Sequence, residues 1–404
     1  MRHPAALLPL LLALPLTAQA PAGGYLFAPE KDARLEAIKA ETTAKPAEPK
    51  KNHIWVDFST VKAPHSLAEF HSVWHQPPVC QGVSGMCWCF ATTSFLESEA
   101  NRLHQVQPQL STLHSVYWEY VEKAKGFCDS RGSSVFGQGS QTDAALRAFS
   151  RHGVVPADQF TGLRPGQKNH NHDPLFKELK TYLDGVKRAG AWNEAEVTAT
   201  VRAILDHDLG VPPATVAVAG KSLSPSDYLK QVLKVEPADY VTVVSFLGQP
   251  YWQKVEYEVP DNWWHGKDYL NVPLDDFMAA FKGALRAGYS LVVALDMSEP
   301  GYSIGGPGLA VVPDWDIPAD HIDARARALR FDNGTTTDDH DMHVVGYTTQ
   351  DGKDWFLVKD SWSSAWNSEH PGYYFISEDY IKLKALTFTL HKSAVQPLLA
   401  RFKD

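Results

Sequence analysis

An α+β fold in two segregated layers is what this sequence predicts, and three observations lead there. Apolar residues recur at helical spacing between Phe90 and Arg151, whereas the last third holds short apolar or alternating runs bounded by turn residues. Helices first and strands later favour segregated layers over an alternating parallel sheet. The 404 residues are 44% hydrophobic, with 12 Trp and 15 Tyr, enough for one large domain or two lobes sharing a cleft.

Met1-Arg2-His3 is a short basic start, Ala5 to Leu16 is almost wholly apolar, and Thr17-Ala18-Gln19-Ala20 ends in an Ala-x-Ala pattern. This is the layout of a cleavable secretory signal over residues 1–20, too short to span a bilayer. A secreted or periplasmic protein is expected. Residues 21–52, rich in Ala, Lys, Glu and Pro, read as a flexible or loosely docked segment with a short helix around Asp32–Thr42. The main domain then runs from 53 to 404. Its expected helices cover Phe90–Leu103, Thr112–Ala124 and Thr142–Arg151, the last ended by Gly153. A Gly- and Ser-rich loop, Gly132–Ser140, lies between the second and third. Residues 163–270 are mixed, with helical stretches near Leu175–Arg188 and Glu194–His207 and a strand at Tyr240–Phe246. Further strands are expected at Ser290–Leu295, His343–Tyr347, Trp355–Lys359 and Tyr373–Ile376.

The net charge of −9 comes without a basic block, which argues against nucleic acid as a partner. No later segment is long and apolar enough to be a transmembrane helix, and no membrane partner is expected. Four cysteines are too few for a disulfide scaffold; with one free nucleophile at most one bridge remains, and Cys80 with Cys128 is the pair expected.

Three short stretches carry chemistry. In Gln81-Gly82-Val83-Ser84-Gly85-Met86-Cys87-Trp88, a cysteine at a helix start has its thiolate stabilised by the positive end of the helix dipole. The Gln81 side-chain amide and the Cys87 backbone N–H are candidate donors to an oxyanion. A buried structural cysteine is the competing reading. In Asp339-His340-Asp341-Met342-His343, His340 precedes an apolar strand and can face a cleft. His340, Asp341 and His343 are all metal-ligand types, but His340 and His343 would point to opposite faces of a strand and no fourth ligand is evident, so no metal is assigned. In Lys359-Asp360-Ser361-Trp362, Asp360 can hold the imidazole tautomer through its second nitrogen, with Trp362 shielding that bond. A plain strand-end turn explains the Asp equally well.

Together the three stretches resemble the papain superfamily of cysteine peptidases, with Gln81 at the oxyanion glutamine, Cys87-Trp88 at the nucleophile, His340 at the base six residues before Gly346, and Asp360-Ser361-Trp362 on the Asn-Ser-Trp segment. The closer resemblance is to its bleomycin hydrolase and bacterial aminopeptidase C branch, carried by Leu110-Ser111, Tyr117-Trp118, Gly153-Val154-Val155-Pro156 and Asn271-Val272-Pro273. A long insertion at 163–270 fits the wide separation of Cys87 from His340. The resemblance implies a papain-like two-lobed fold, a helical lobe beside an antiparallel barrel-like sheet lobe, and Cys–His–Asp thiol acyl transfer on a peptide or protein substrate, exo- or endopeptidase, with no cofactor. It places Trp88, Gly139, Ser140 and Trp362 against the substrate.

This chain departs from that pattern at Ser84, where many relatives have a bridging cysteine, at Ser140, where a second glycine is expected, and at Asp360, where asparagine is usual. In Ser393 to Asp404 no counterpart is recognisable of the arm that restricts bleomycin hydrolases to chain ends, so restriction to chain ends is not expected. Transglutaminase-like and cell-wall amidase families share the Cys…His…Asp order, but the glutamine ahead of Cys87 and the tryptophan pair argue against them. A non-catalytic peptide-binding relative is the other alternative; the four candidate residues speak against it.

Overall fold

The fold is built from helices whose apolar residues sit three and four apart and strands buried on one or both faces. The computed structural model describes residues 24–29, 32–42, 51–304 and 306–402, so the expected signal at 1–20 lies outside the described residues. The α-helices among the described residues are α1 (Ala33–Thr42), α2 (Cys87–His104), α3 (Thr112–Asp129), α4 (Thr142–His152), α5 (Asp173–Ala189), α6 (Glu194–Leu209), α7 (Pro225–Asp227), α8 (Leu274–Arg286), α9 (Ala324–Asp332), α10 (Glu378–Lys384) and α11 (Gln396–Leu399). No helix among the described residues is long and apolar enough to cross a membrane.

Helices α2 to α6 share one core around Trp88, Phe95, Tyr117 and Phe149. A second core, around Phe277, Phe281, Phe356 and Phe388, belongs to the sheet. The hairpin β1 (Tyr25–Pro29) with β2 (Asn52–Val56) and the small pair β4 (Val216–Val218) with β5 (Lys221–Leu223) stand apart from it. The main sheet contains β3 (His71–Ser72), β6 (Tyr240–Val244), β7 (Gln253–Val255), β8 (Tyr269–Asn271), β9 (Leu291–Leu295), β10 (Leu309–Ala310), β11 (His340–Gln350), β12 (Lys353–Lys359), β13 (Tyr373–Ser377) and β14 (Ala385–His391). Its path runs β10-β13-β12-β11-β9-β14-β6-β8-β7, with β3 alongside β11. The sheet is antiparallel as expected, except that β10–β13 and β6–β8 pair in parallel. Central β9 is buried at every residue because α2 and α8 lie near its two faces.

Helix α8 was not expected. Yet Leu274, Phe277, Met278, Phe281 and Leu285 fall on one buried face, and Phe277 and Phe281 meet Phe388 and Phe356 at 4.7 and 5.0 Å. Residues 163–270 are not a separate body: α6 packs on α3, while β6 and β8 extend the sheet beyond β14.

Two expectations need correcting. All four cysteines are free: Cys128 ends α3 in the helical core, whereas Cys80 lies beside Arg34 and Asp360, so the expected bridge is absent. The described residues of the 21–52 segment form β1 and α1, docked on the body. Asp32, 1% exposed, caps α1 by accepting from the Leu35 N–H (2.8 Å) and also accepts from Ser363 Oγ (2.7 Å) and Asn367 Nδ2 (2.9 Å). Arg34 Nη2 donates to Asn169 Oδ1 (3.2 Å), and Asn171 Nδ2 donates to Thr42 Oγ1 (3.1 Å). The arm thereby ties segment 363–367 to segment 169–171. Replacing Asp32 by Ala strands these donors and should lower stability by about 1–3 kcal/mol in urea unfolding. An unshifted midpoint would show that Asp32 does not anchor the arm.

Candidate active site

The nucleophile candidate is set by the turn that leads into α2. Gly82 adopts φ +69°, and a Cβ there would lie 2.2 Å from the His170 carbonyl oxygen, so only glycine lets these two backbones meet. The Val83 N–H donates to that carbonyl (2.9 Å), and the His172 N–H donates back to Val83 O (2.9 Å). The turn places Cys87 as the first residue of α2, half-buried. Met86, the residue before it, makes no side-chain cap bond. Helix-end amides and the dipole therefore act at the sulfur.

Gln81 is held rigidly beside this turn. Its Oε1 accepts from Ser361 Oγ (2.5 Å), its backbone N–H donates to Ser361 O (2.8 Å), and its Nε2 donates to Ser84 O (2.5 Å). One hydrogen of that amide remains for an oxyanion near Cys87. Ser84, where a bridging cysteine was the alternative, instead donates its hydroxyl to Gln81 O (2.8 Å).

His340 is the first residue of β11 rather than the residue before it, paired opposite Leu295. The imidazole is buried, and its Nε2 lies 2.6 Å from Asp360 Oδ1, which leaves Nδ1 to face Cys87. Asp360 accepts two further bonds, from the Trp362 N–H to Oδ1 (2.8 Å) and from Tyr302 Oη to Oδ2 (2.9 Å). Burial works against a charged imidazole, but Asp360 and then Cys87 outweigh it and hold His340 well above its ordinary range. Burial pushes the Cys87 thiol up, while His340 pulls it back. The pair is thus built to share one proton, with the charged form supported by Asp360 and the helix end.

Tyr302 escapes sequence reasoning altogether. It lies in a Gly- and Pro-containing loop far from any motif, and only the fold stacks it on Tyr374 (4.3 Å between ring centroids) with its hydroxyl on Asp360.

The four residues expected against substrate divide. Trp362 is half-buried beside Asp360, and Gly139 is partly accessible. Trp88 is 1% exposed and lies beneath the surface, where its indole N–H donates to Gln138 O (3.2 Å). It props the 138–139 strip instead of meeting a ligand. The Ser140 hydroxyl turns inward to Glu119 Oε1 (2.8 Å), and Lys123 Nζ binds the carbonyls of Gly137 and Gly139. That strip therefore has its conformation fixed from behind.

Residues 328–389, which contain His340 and Asp360, match the family model described as "Papain family cysteine protease". No curated protein sequence matches the chain. The crystal structure of PepW from Lactobacillus rhamnosis HN001 (DR20) is similar with a TM-score of 0.68 at 18% identity, over 92% of this chain and 86% of that one, which shows the fold. A structure from work on the mite allergens Blo t 1 and Der p 1 is more distant, with a TM-score of 0.41 at 14% identity over 88% and 76% of the two chains.

The charge on Asp360 has a measurable consequence. In Asp360→Asn the first proton of the Cys87–His340 pair should leave at a pH about one to two units lower, because either deprotonation no longer occurs beside a carboxylate. The plateau rate of Cys87 alkylation should also fall, since the imidazolium has lost its counter-charge. A pH profile of alkylation that matches the wild type in midpoint and plateau would remove Asp360 from this role.

Proposed function

We propose that this chain, a cysteine peptidase of the papain superfamily, hydrolyses peptide bonds by acyl transfer through Cys87. The observation that carries the mechanism is the 2.6 Å bond between His340 and Asp360, with the Cys87 thiol on the other imidazole nitrogen at the start of α2.

Cys87 Sγ, its proton given to His340, attacks the substrate carbonyl carbon and forms the C–S bond. The developing oxyanion takes hydrogen bonds from the Cys87 backbone N–H and Gln81 Nε2. The imidazolium returns its proton to the leaving amine as the C–N bond breaks, leaving a thioester. A water then gives a proton to His340 and attacks the thioester carbonyl, releasing the acid and regenerating the thiol. Asp360 holds the imidazole through Nε2 in every step, and Tyr302 and the Trp362 N–H hold Asp360. Gly139 and Ser140 offer backbone to an extended peptide, and Trp362 borders the leaving side. The protein acts outside the cytoplasm after loss of residues 1–20, and residues 163–270 are an insertion in the peptidase domain.

Labelling with an epoxide that alkylates papain-type thiols, mapped by peptide mass spectrometry, tests the reading. Cys87 should be modified selectively, and His340→Ala should slow labelling sharply. Turnover of a peptide library should drop by about 10³ or more in Cys87→Ala and by about 10²–10³ in Gln81→Ala. A folded protein whose Cys87 reacts no faster than Cys80 would end the proposal.

A further inference from the structure

The segment between β7 and β8 delivers a carboxylate to the edge of the proposed cleft. A Cβ on Gly139 would lie 2.0 Å from Asp261 Oδ2, so the Asp261 carboxylate rests directly against the Gly139 backbone. This placement is built. Trp263 Nε1 donates to Glu119 Oε1 (2.6 Å), Asn262 Nδ2 donates to the carbonyls of Tyr257 (2.9 Å) and Gly266 (3.0 Å), and Arg147 lies 3.7 Å over the Trp264 ring.

Two more carboxylates share the recess. Asp338 and Asp341 bracket His340, and the Asp341 backbone N–H reaches the Cys87 sulfur. Asp341 is buried and accepts from Thr142 Oγ1 (3.0 Å); Asp338 accepts from Gln141 Nε2. Asp261 and Asp338 are both half-buried. Tyr257, fully buried, points its hydroxyl at Asp338 and Asp341 without a formed hydrogen bond. Lys123 partly offsets the Asp261 charge while its Nζ binds the Gly137 and Gly139 carbonyls, and Arg147 stacks on Trp264 beside Glu119. Burial raises all three acids, Asp341 to about 7; repulsion from neighbouring acids adds to it, from Glu119 at Asp261 and from Asp261 at both Asp338 and Asp341. No group of acids, His or Cys among the described residues is arranged to hold a metal ion. A cationic nitrogen carried by an organic ligand complements such a pair of carboxylates.

We propose that Asp261 and Asp338 form a cation subsite on the N-terminal side of the scissile bond, selecting peptides that present an ammonium or guanidinium group there. The inference rests on the peptidase reading of Cys87. Gly139 lies on the strip that would hold the acyl part of the substrate, so the cation belongs to the residue at the bond or to the one before it. Two sources have that chemistry: the free α-amino group of a peptide's first residue, and the side chain of Lys or Arg within a longer peptide.

Four fluorogenic amides with one leaving group separate them: alanyl with a free amine, N-acetyl-alanyl, and two N-blocked dipeptides with either arginine or norleucine preceding the residue at the bond. The wild type should favour one cationic member over its neutral counterpart by tenfold or more in kcat/KM. The free-amine pair responding identifies the chain terminus, and the arginine pair responding identifies the side chain. Asp261→Asn should raise KM for the favoured cation about tenfold, more than for its neutral partner, and Asp338→Asn should do the same should the first variant fail to fold. Equal kcat/KM for charged and neutral members in the wild type overturns the subsite. Epoxide labelling of wild-type Cys87 is read alongside: labelling without charge preference sinks the subsite alone, whereas no labelling sinks the peptidase reading.

Discussion

The buried hydrogen bond between His340 and Asp360 is the constraint around which the sheet lobe is arranged. Removing two charges from water costs several kcal/mol per ion, and a buried pair is tolerated only when its remaining lone pairs are satisfied. The Trp362 N–H and Tyr302 Oη supply those bonds. Each donor comes from a different part of the fold. Trp362 follows the end of β12, whose register on β11 matches Lys359 with His343 and so carries the 360–362 turn alongside His340. Tyr302 comes from the loop after β9 and is pressed into place by Tyr374 of β13. Strands β9, β11, β12 and β13 must all be in register for one carboxylate to be satisfied.

The helical lobe must then bring its sulfur to that imidazole, and α2 does so along a single face. Seven residues after Cys87 is two helical turns, so Ser94 projects on the same side. Lys359 Nζ donates to Ser94 Oγ (2.6 Å), and Ser94 Oγ lies 2.8 Å from His343 Nδ1. Glu97, one turn further, accepts from the Leu110 N–H (2.7 Å). Burial draws Lys359 down to about 8 and lifts Glu97 to about 7, which marks a seam where charge is expensive and position correspondingly exact. A cavity of about 180 Å³ opens along this seam, bordered by Ser94, Glu97, His343 and Lys359 but by neither Cys87 nor His340. Since His340 and His343 share β11, the Ser94 contact fixes the distance over which Cys87 and His340 face one another.

What was legible in the sequence was local. Gln81, Cys87, His340 and Asp360 each stand in a short stretch whose neighbours explain them, and the helices carrying α2 to α4 announce themselves by spacing. The misses have long-range causes. Asp32 finds Ser363 and Tyr302 finds Asp360 only after the chain has folded; the helix start marks Asp32 as a cap, but nothing local marks either long-range bond. Trp88 is a subtler case. Its place beside the nucleophile suggests a substrate contact, but a residue one step along a helix points about 100° away, into the core. Helix α8 did carry its signal, a clean apolar face from Leu274 to Leu285, within a stretch otherwise read through its strands.

The carboxylate at position 360 and the acids beside His340 act on the same proton from two directions. Asp360 favours the imidazolium, and that imidazolium in turn favours the thiolate. Every further negative charge nearby strengthens the first effect and opposes the second, because a thiolate must form in the same field. Asp341, adjacent in sequence and buried, does this to Cys87 directly while its backbone N–H lowers the thiol again. Keeping Asp341 largely protonated below neutrality, as burial does, limits the penalty. A chain with Asp at 360 therefore gains from burial that raises its other acids, and the raised Asp261, Asp338 and Asp341 answer to the same electrostatics as Cys87 and His340.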